Sequence, residues 1–510
     1  MDLNVKTQIL HINELLFSNS SDQPIDSDIT MPDYCPDIKK ILKCIVSPRL
    51  VSARCTADRV NVEANAQIQI MYSNEDNNIF CYEKTFPFSK SIDIGKPIEN
   101  PVVEAKLRTS YVNTRAVSSR RIDIHSSVVV DVTIKSKREE QVVADAENCG
   151  IQLLKNCKNV CSFVGEAVKT FSLMETVDLG EGKSPVFQVL RVTSNIINED
   201  MKATNNKVLV SGDLKVNVLY CTDTDKYHPE VFEHTLPISQ IIDIDGISEK
   251  TNNSVSLCCS GVEVIPKNDS SGAKKLLDIS ASINAVIKAV TNIDIALPTD
   301  CYSTQYNLNC QKKTVRFENE VEKIRDSMMI KKNEKISGIK IDEIYDIWCD
   351  DIKATSQINK GEINVKGSLI VCILGKDDSS APFYTERTVE FDKVLQMKGE
   401  HHSCQSDINV KNMSVSYILS SEDTLDLRIE IMIESSVIRN MPRELIESIQ
   451  IDKESKKKNN AALSIYFADE NESVWDIARN FNTTLNVIRE ENDLGDSEKV
   501  GKRMLFIPII

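Results

Sequence analysis

The chain has 510 residues, of which 41% are hydrophobic and 27% charged. This length predicts several domains, and the composition is ordinary for a globular protein. The formal net charge of −15 argues against a nucleic-acid-binding surface, because phosphate contacts need clustered Lys and Arg side chains. The sequence has no stretch apolar enough to predict a transmembrane segment and no signal-peptide pattern at its first residues, so we expect the chain to stay in the cytosol.

The cysteines and histidines predict neither disulfides nor a metal site. Fifteen cysteines, an odd number, are scattered without a paired C-x-x-C framework, which predicts reduced thiols. Cys149, Cys157 and Cys161 form the closest group, and their spacing fits no common zinc pattern. We interpret His401 and His402 as part of an exposed loop. The sequence therefore predicts no metal and no cofactor.

The first distinctive segment in chain order is 31–42, which is rich in Pro and Asp. Pro32 and Pro36 bias the residues before them towards extended backbone, and Asp37 is placed to cap a short helical turn. Two interpretations stay open, a recognition loop or a rigid lead-in to the first domain, since Pro and Asp are typical turn residues. The apolar positions that would face the domain are Ile38, Ile41 and Leu42.

A set of alternating apolar and polar strands then recurs three times along the body of the chain. The first strand of each copy is followed by a polar, acidic turn and two further apolar markers in the same order. This repetition predicts three related β-rich domains, each built like a sandwich from two antiparallel layers. The three markers of the successive copies begin at Val60, Phe86 and Ile122, then Val208, Leu236 and Leu277, then Ile363, Val389 and Leu425.

The repeats and the composition predict the domain boundaries. The three β-rich domains are predicted at 1–148, 149–314 and 315–450. The run of Lys456, Lys457 and Lys458 predicts a solvated linker, placed at 451–462. A small α+β domain is predicted at 463–510.

The final segment shows a strand–helix–helix–strand pattern. Ser473 is placed to cap a first helix with an inward stripe that includes Ile477 and Phe481, and Thr484 is placed to cap a second. An apolar strand ending at Pro508 follows. This order predicts two helices packed on a two-stranded sheet.

Two parts of the chain resemble known families. The motif of residues 32–42 resembles the signature of SPOCS domains, which occur in spore-coat morphogenesis proteins of endospore-forming Firmicutes; it comprises Pro32, Asp33, Pro36, Asp37, Ile38, Ile41 and Leu42. The corresponding segments 184–190 and 340–348 keep its apolar spacing in degenerate form. The C-terminal segment resembles the LysM family at positions that include Tyr466, Trp475, Asn492 and Pro508. Asn471, Glu472 and Ser473 stand where that family has a Gly-Asp-Thr turn.

The altered turn and Trp475 suggest where the C-terminal segment binds a partner. Trp475 lies off the inward stripe of the first helix, which predicts a partly exposed side chain and a protein contact. The alternative is that Trp475 completes the small core. The candidate partner-binding residues are Asn471, Glu472, Ser473, Trp475, Arg479 and Asn492.

The resemblance to tandem SPOCS domains with a terminal LysM module implies a non-enzymatic scaffold in the mother-cell cytoplasm at the forespore surface. In such proteins the LysM end binds the spore coat morphogenetic ATPase, other coat proteins are further partners, and weak glycan binding stays open. The alternatives are a protein of the cell wall or cortex that binds peptidoglycan or N-acetylglucosamine, and an enzyme. The phosphate-loop-like segment 180–184 lacks its first glycine, and we predict no catalytic residues.

Overall fold

The computed structural model describes residues 2–156, 160–224, 227–293, 296–399, 404–457, 462–495 and 499–508. It is 76% strand and 3% helix, which confirms the predicted mainly β class. The strands form three units of one design, unit 1 (4–147), unit 2 (160–293) and unit 3 (306–456), followed by the terminal module (463–508).

Unit 1 is a sandwich of two three-stranded antiparallel sheets. The order in one sheet is β2-β3-β4, a simple meander, and in the other β1-β6-β5, where the first and last strands of the unit pair along their length. Inward residues of the two central strands, such as Ile68 and Ile124, meet in one core. The strands are β1 (Asn4–Thr30), β2 (Lys40–Thr56), β3 (Arg59–Ser73), β4 (Ile79–Asp93), β5 (Pro101–Ser118) and β6 (Arg121–Glu147).

Units 2 and 3 repeat this design. Their sheet orders are β11-β10-β9 with β12-β13-β8, and β16-β17-β18 with β15-β20-β19. The strands of unit 2 are β8 (Val160–Asp178), β9 (Val186–Thr204), β10 (Lys207–Thr222), β11 (Pro229–Asp243), β12 (Asn252–Lys267) and β13 (Leu276–Ile293). Those of unit 3 are β15 (Tyr306–Lys335), β16 (Ile341–Asn359), β17 (Glu362–Asp377), β18 (Pro382–Gln396), β19 (Cys404–Ser421) and β20 (Thr424–Lys456).

The alternating pattern of the sequence sets the inner face of each central strand. Val60, Val208 and Ile363 open β3, β10 and β17, and each is fully buried. Because successive side chains of a strand point to opposite faces, the residues two positions on are buried as well. The predicted repeat of strands is confirmed in all three units.

The three units pack in a closed cycle. Strand β4 of unit 1 contacts β9 of unit 2, β11 of unit 2 contacts β16 of unit 3, and β18 of unit 3 contacts β2 of unit 1. The three meanders thereby share an apolar cluster, the junction cluster, and each unit contributes only part of its buried residues. Its buried members are Leu42, Met71, Ile79 and Cys81 from unit 1, Leu190, Leu219 and Cys221 from unit 2, and Trp348, Cys372 and Leu374 from unit 3.

Polar side chains complete the junction. Arg191 of unit 2 forms a salt bridge with Asp346 of unit 3, and its guanidinium lies 3.9 Å from the centre of the Trp348 ring. The Gln188 amide donates to the Cys81 carbonyl at 2.6 Å and accepts from the Cys81 N–H at 3.1 Å, as a neighbouring strand would. These contacts pair polar groups across the junction, although Nε and Nη1 of Arg191 are buried without a hydrogen-bond partner.

Two short strands bracket unit 2. Strands β7 (Ile151–Leu154) and β14 (Asp300–Ser303) pair with each other and form a small antiparallel sheet, the β7–β14 pair. Pairing of Tyr306 with Lys456 assigns 306–314 to unit 3, earlier than the predicted boundary, and continues β20 into the segment predicted as linker. Because the first residues of β15 are mostly polar, an apolar–polar alternation does not predict where this strand begins. Residues 458–461 of the predicted linker lie outside the described residues.

The terminal module has the predicted strand–helix–helix–strand order. Its elements are β21 (Leu463–Ala468), α1 (Val474–Asn480), α2 (Leu485–Glu491) and β22 (Arg503–Pro508), and the two strands pair antiparallel. Ser473 and Thr484 cap the helices as predicted, by accepting hydrogen bonds from the backbone N–H groups of Asp476 and Val487.

Candidate partner-binding site

The signature segment forms a loop held by one arginine. The Arg120 guanidinium donates to the carbonyls of Met31, Pro32 and Cys35 and to the Asp37 carboxylate, at 2.6 to 3.3 Å. The predicted helical turn after Asp37 is wrong, because the chain goes directly into strand β2 at Lys40. Asp37 instead accepts from Arg120 and from the Ser119 hydroxyl. This geometry favours the rigid lead-in over the recognition loop.

Two of the three apolar positions of the signature, Ile38 and Ile41, face the core of unit 1 as predicted, whereas Leu42 faces the junction between units. A register shift between Ile41 and Lys43 interrupts the pairing of β2 with β3. Successive side chains of a strand point to opposite faces, so Ile41 packs on the core of unit 1 while Leu42 enters the junction cluster. The extra residue at the bulge then places Cys44, rather than Lys43, on the core side. Pro32 and Asp33 lie at the loop surface, and Pro36 precedes the strand.

The altered turn of the terminal module is an internally bonded structure. The Glu472 carboxylate accepts from the Tyr466 hydroxyl at 2.8 Å and from the Asp469 N–H at 2.9 Å. The first of these bonds raises the pKa of Tyr466. Ser473 also donates to the Asp476 carboxylate at 2.6 Å, and Asn471 accepts from Lys499 at 3.4 Å. The side chains of Glu472 and Ser473 are thus engaged within the module.

Asn492 joins the second helix to the second strand. Its amide nitrogen donates to the carbonyls of Ile488 and Phe506 at 2.8 and 2.6 Å, and its amide oxygen accepts from the Phe506 N–H at 2.7 Å. These bonds engage both the amide nitrogen and the amide oxygen of Asn492 within the module, which indicates a structural role for this side chain.

The predicted exposure of Trp475 is wrong, because only 5% of this residue is accessible. Its ring packs edge-on against Tyr302 of β14 with centroids 4.8 Å apart, and its Nε1–H donates to the Asp300 carboxylate at 2.9 Å. Helix α1 alone would leave the ring at the surface of the small module. A second surface, the β7–β14 pair, covers it, and nothing in the local pattern of residues 463–510 indicates this contact.

Arg479 reaches the same carboxylate. Its guanidinium lies 2.7 Å from the Asp300 carboxylate and 2.9 Å from that of Asp476, while Lys312 of β15 approaches Asp300 at 3.0 Å. Burial opposes ionisation of Asp300, yet the hydrogen bonds from Trp475 and Lys312 and the charges of Lys312 and Arg479 outweigh it and lower its pKa. Two of the six candidate residues therefore converge on one body residue that the sequence did not single out.

The most exposed apolar surface of the module lies on the opposite face of its sheet. Ile465 pairs with Phe506 and Phe467 with Met504, and all four side chains point outward with Leu463. Their exposed fractions are 52% for Leu463, 59% for Ile465, 73% for Phe467, 45% for Met504 and 38% for Phe506. We call these five residues the apolar sheet face. Residues 465–468 are consecutively apolar, and this pattern indicates that both faces of β21 make contacts.

The other candidate features contribute less. Within the described ranges, no group of three or more His, Cys, Asp and Glu side chains is arranged to hold a metal ion. Cys157, His401 and His402 lie outside those ranges. Neither helix of the described chain could cross a membrane, since each has seven residues.

Two segments of the chain, 37–117 and 185–264, match the family model described as SipL, SPOCS domain. The first begins in the signature loop and runs through strands β2 to β5, and the second covers the corresponding strands of unit 2. No curated protein and no solved structure matches the chain. Unit 3 has the same two sheet orders as the matched units. The chain therefore carries two tandem SPOCS domains similar to those described for SipL, which relates it to the sporulation coat.

Proposed function

We propose that this protein is a non-enzymatic scaffold of endospore coat assembly. It works in the mother-cell cytoplasm, where its terminal module binds the morphogenetic ATPase on the forespore surface and its three units carry other coat proteins. The SPOCS match supports the coat context. The resemblance of the module to LysM domains supports its role as the binding end.

One observation carries the assignment of the binding surface, namely the apolar sheet face. Five large apolar side chains side by side on a two-stranded sheet are costly to hydrate, and such a patch is typical of a protein interface. Its cross-strand pairs place Phe467 and Phe506 among aliphatic neighbours, and aromatic anchors are enriched at interface hot spots. The ATPase is the occupant that the family context favours.

The test compares two isoleucines of the full-length chain. Ile465 on the apolar sheet face and Ile418 on β19 are 59% and 56% exposed, and both lie on strands. We expect Ile465→Asp to weaken binding to the purified ATPase by about tenfold or more, because a carboxylate would be desolvated at the interface. Ile418→Asp should leave the affinity unchanged. Equilibrium binding to the immobilised ATPase measures both.

Equal affinity of wild type and Ile465→Asp would contradict the proposed surface. A parallel measurement with soluble chitin oligomers and peptidoglycan tests the second function carried by the LysM resemblance. Glycan binding without ATPase binding would replace the scaffold with a wall- or cortex-binding protein.

A further inference from the structure

The terminal module meets the body of the chain at a built surface. Asp300 and Tyr302 stand two positions apart on β14, so that both side chains lie on the same face of the β7–β14 pair. Trp475 and Arg479 stand four positions apart on α1 and therefore lie on the same face of that helix. The two pairs meet directly.

Tyr302 is the apolar centre of this contact. It is 3% exposed and belongs to the core cluster of the terminal module, together with Trp475 and with Leu154 of β7. Its hydroxyl donates to the Thr483 carbonyl at 2.7 Å, just before helix α2. The body thus supplies a large aromatic side chain that completes the core of the module.

Asp300 is the polar centre. Its carboxylate is approached by the Trp475 indole, the Arg479 guanidinium and the Lys312 ammonium group, at 2.9, 2.7 and 3.0 Å. Hydrogen bonds to a charged group are stronger than neutral ones. A partly buried carboxylate that accepts such bonds from both sides of a contact therefore holds the two sides in one geometry. Lys457 adds a bond to each side, with its ammonium group 2.9 Å from the Ser303 carbonyl and 2.6 Å from the Asn482 amide oxygen.

We propose that Trp475 and Arg479 form an interaction surface whose partner is the chain's own β7–β14 pair. The contact, here called the seat, fixes the module on the three units and presents the apolar sheet face at one orientation. Trp475 and Arg479 are positioning residues, and the outward partner contacts the sheet instead. The seat requires no particular identity for that partner, so it stands or falls independently of the proposed function.

The seat has a consequence for how the terminal module is oriented relative to the three units. An anchor on a flexible tether transmits binding but no orientation, whereas a seated anchor fixes the direction of everything attached to it. The flanks of unit 2 build the seat, and β14 leads into the long strand β15 of unit 3. A partner bound to the apolar sheet face would therefore orient units 2 and 3 as well.

The first test uses tryptophan fluorescence of the full-length chain. The chain has two tryptophans, so Trp348→Phe leaves Trp475 as the single emitter. We expect Trp475 in this background to resist quenching by acrylamide, and Asp300→Ala or Tyr302→Ala to raise the quenching constant severalfold. Quenching as rapid as that of a free indole before either substitution would overturn the seat, as would no change after both.

The second test needs no change at Trp348. Hydrogen exchange measured by mass spectrometry on the full-length chain should show faster uptake in 474–483 after Tyr302→Phe, which removes only the bond to the Thr483 carbonyl. The matched control is Tyr220→Phe, because Tyr220 is also buried and donates to Glu230 at 3.0 Å within unit 2. Unchanged uptake in 474–483, or an equal rise after the control substitution, would reject the seat.

A third measurement separates the seat from the binding surface. Asp300→Ala removes the polar contacts of the seat without emptying the core of the module, and it should leave affinity for the isolated ATPase within about threefold of wild type, well below the tenfold step that about 1.4 kcal/mol represents. If Asp300→Ala abolished binding as Ile465→Asp is expected to do, the β7–β14 pair would belong to the partner's own site and the assignment of Trp475 as a positioning residue would be wrong.

Discussion

Single polar side chains complete contacts that backbone pairing leaves open. Arg120 gathers three carbonyls of the signature loop, while the Gln188 and Asn492 amides each pair with the N–H and C=O of a facing strand residue. An amide group has the same donor and acceptor as a peptide unit, so it can extend a sheet by one position. Arg191 performs the corresponding task at the junction with an ion pair and a ring contact.

Arg191 provides the prediction at this scale. The side chains of Arg191 and Asp346 are 4% and 11% exposed, so removal of the cation would leave a carboxylate with little solvent. We expect Arg191→Ala to lower the free energy of unfolding by about 3 kcal/mol, as is typical when one partner of a buried ion pair is removed. Arg191→Ala combined with Asp346→Ala should recover part of this loss. Urea unfolding of the full-length chain measures both, and an additive double variant would contradict the coupling.

At the scale of elements, each unit depends on the pair formed by its first and last strands. The first and last strands of a unit pair antiparallel and carry the layer on which the meander packs, as β1 and β6 do in unit 1. The terminal module lacks such a long pair and relies on side chains instead. Asn492 holds α2 to β22, and the seat holds α1 to β14.

Removal of the Asn492 amide should loosen β22. Asn492→Ala deletes three hydrogen bonds and leaves the Phe506 N–H unpaired, which we expect to destabilise the module by about 2 kcal/mol. Hydrogen exchange of 503–508 should accelerate. Asn471→Ala in the same module removes only a 3.4 Å bond and serves as the control. Equal protection of 503–508 in both variants would show that Asn492 is dispensable.

The seat should open in acid. The pKa of Asp300 is lowered in the folded chain, so its contribution to stability is present above the unfolded pKa of about 3.9 and is lost as the pH falls through the folded value. We expect quenching of Trp475 in the Trp348→Phe chain to stay constant from neutral pH to about pH 4 and to rise below it. Asp300→Asn should abolish this pH step. A step at the same pH in Asp300→Asn would assign it to another carboxylate.

At the scale of the whole molecule, the three units form one closed cycle. Each pair of units is joined by contacts between strands, and all three meanders bury residues in the junction cluster. Met71, Leu219 and Leu374 stand at the same distance along the chain from Val60, Val208 and Ile363, so the repeat places equivalent residues at the junction. The units should consequently unfold together.

Two leucines of β10 test this cooperativity. Leu219 is 1% exposed in the junction cluster, whereas Leu209 on the same strand is 38% exposed. We expect the wild-type chain to unfold in urea in one transition, and Leu219→Asp to split or shift it by more than about 3 kcal/mol, because it buries a charge between units. Leu209→Asp should leave the transition in place. A transition in Leu219→Asp that matches wild type would show that the units are independent.

Whether a feature could be predicted from the sequence depends on how far apart in the chain the residues that determine it lie. Strict alternation from Val60, Val208 and Ile363 determined the strands and the threefold repeat, because side-chain direction in a strand is a local property of period two. The caps at Ser473 and Thr484 were local for the same reason. A helical turn after Asp37 was predicted incorrectly, since the pairing of β2 with β3 overrides the local turn signal. Only the tertiary structure decided that Trp475 is buried and that Ile465 and Phe467 are exposed. The surface that covers Trp475 comes from Asp300 and Tyr302, far away in the chain, and a contact between distant segments leaves no periodic pattern in either.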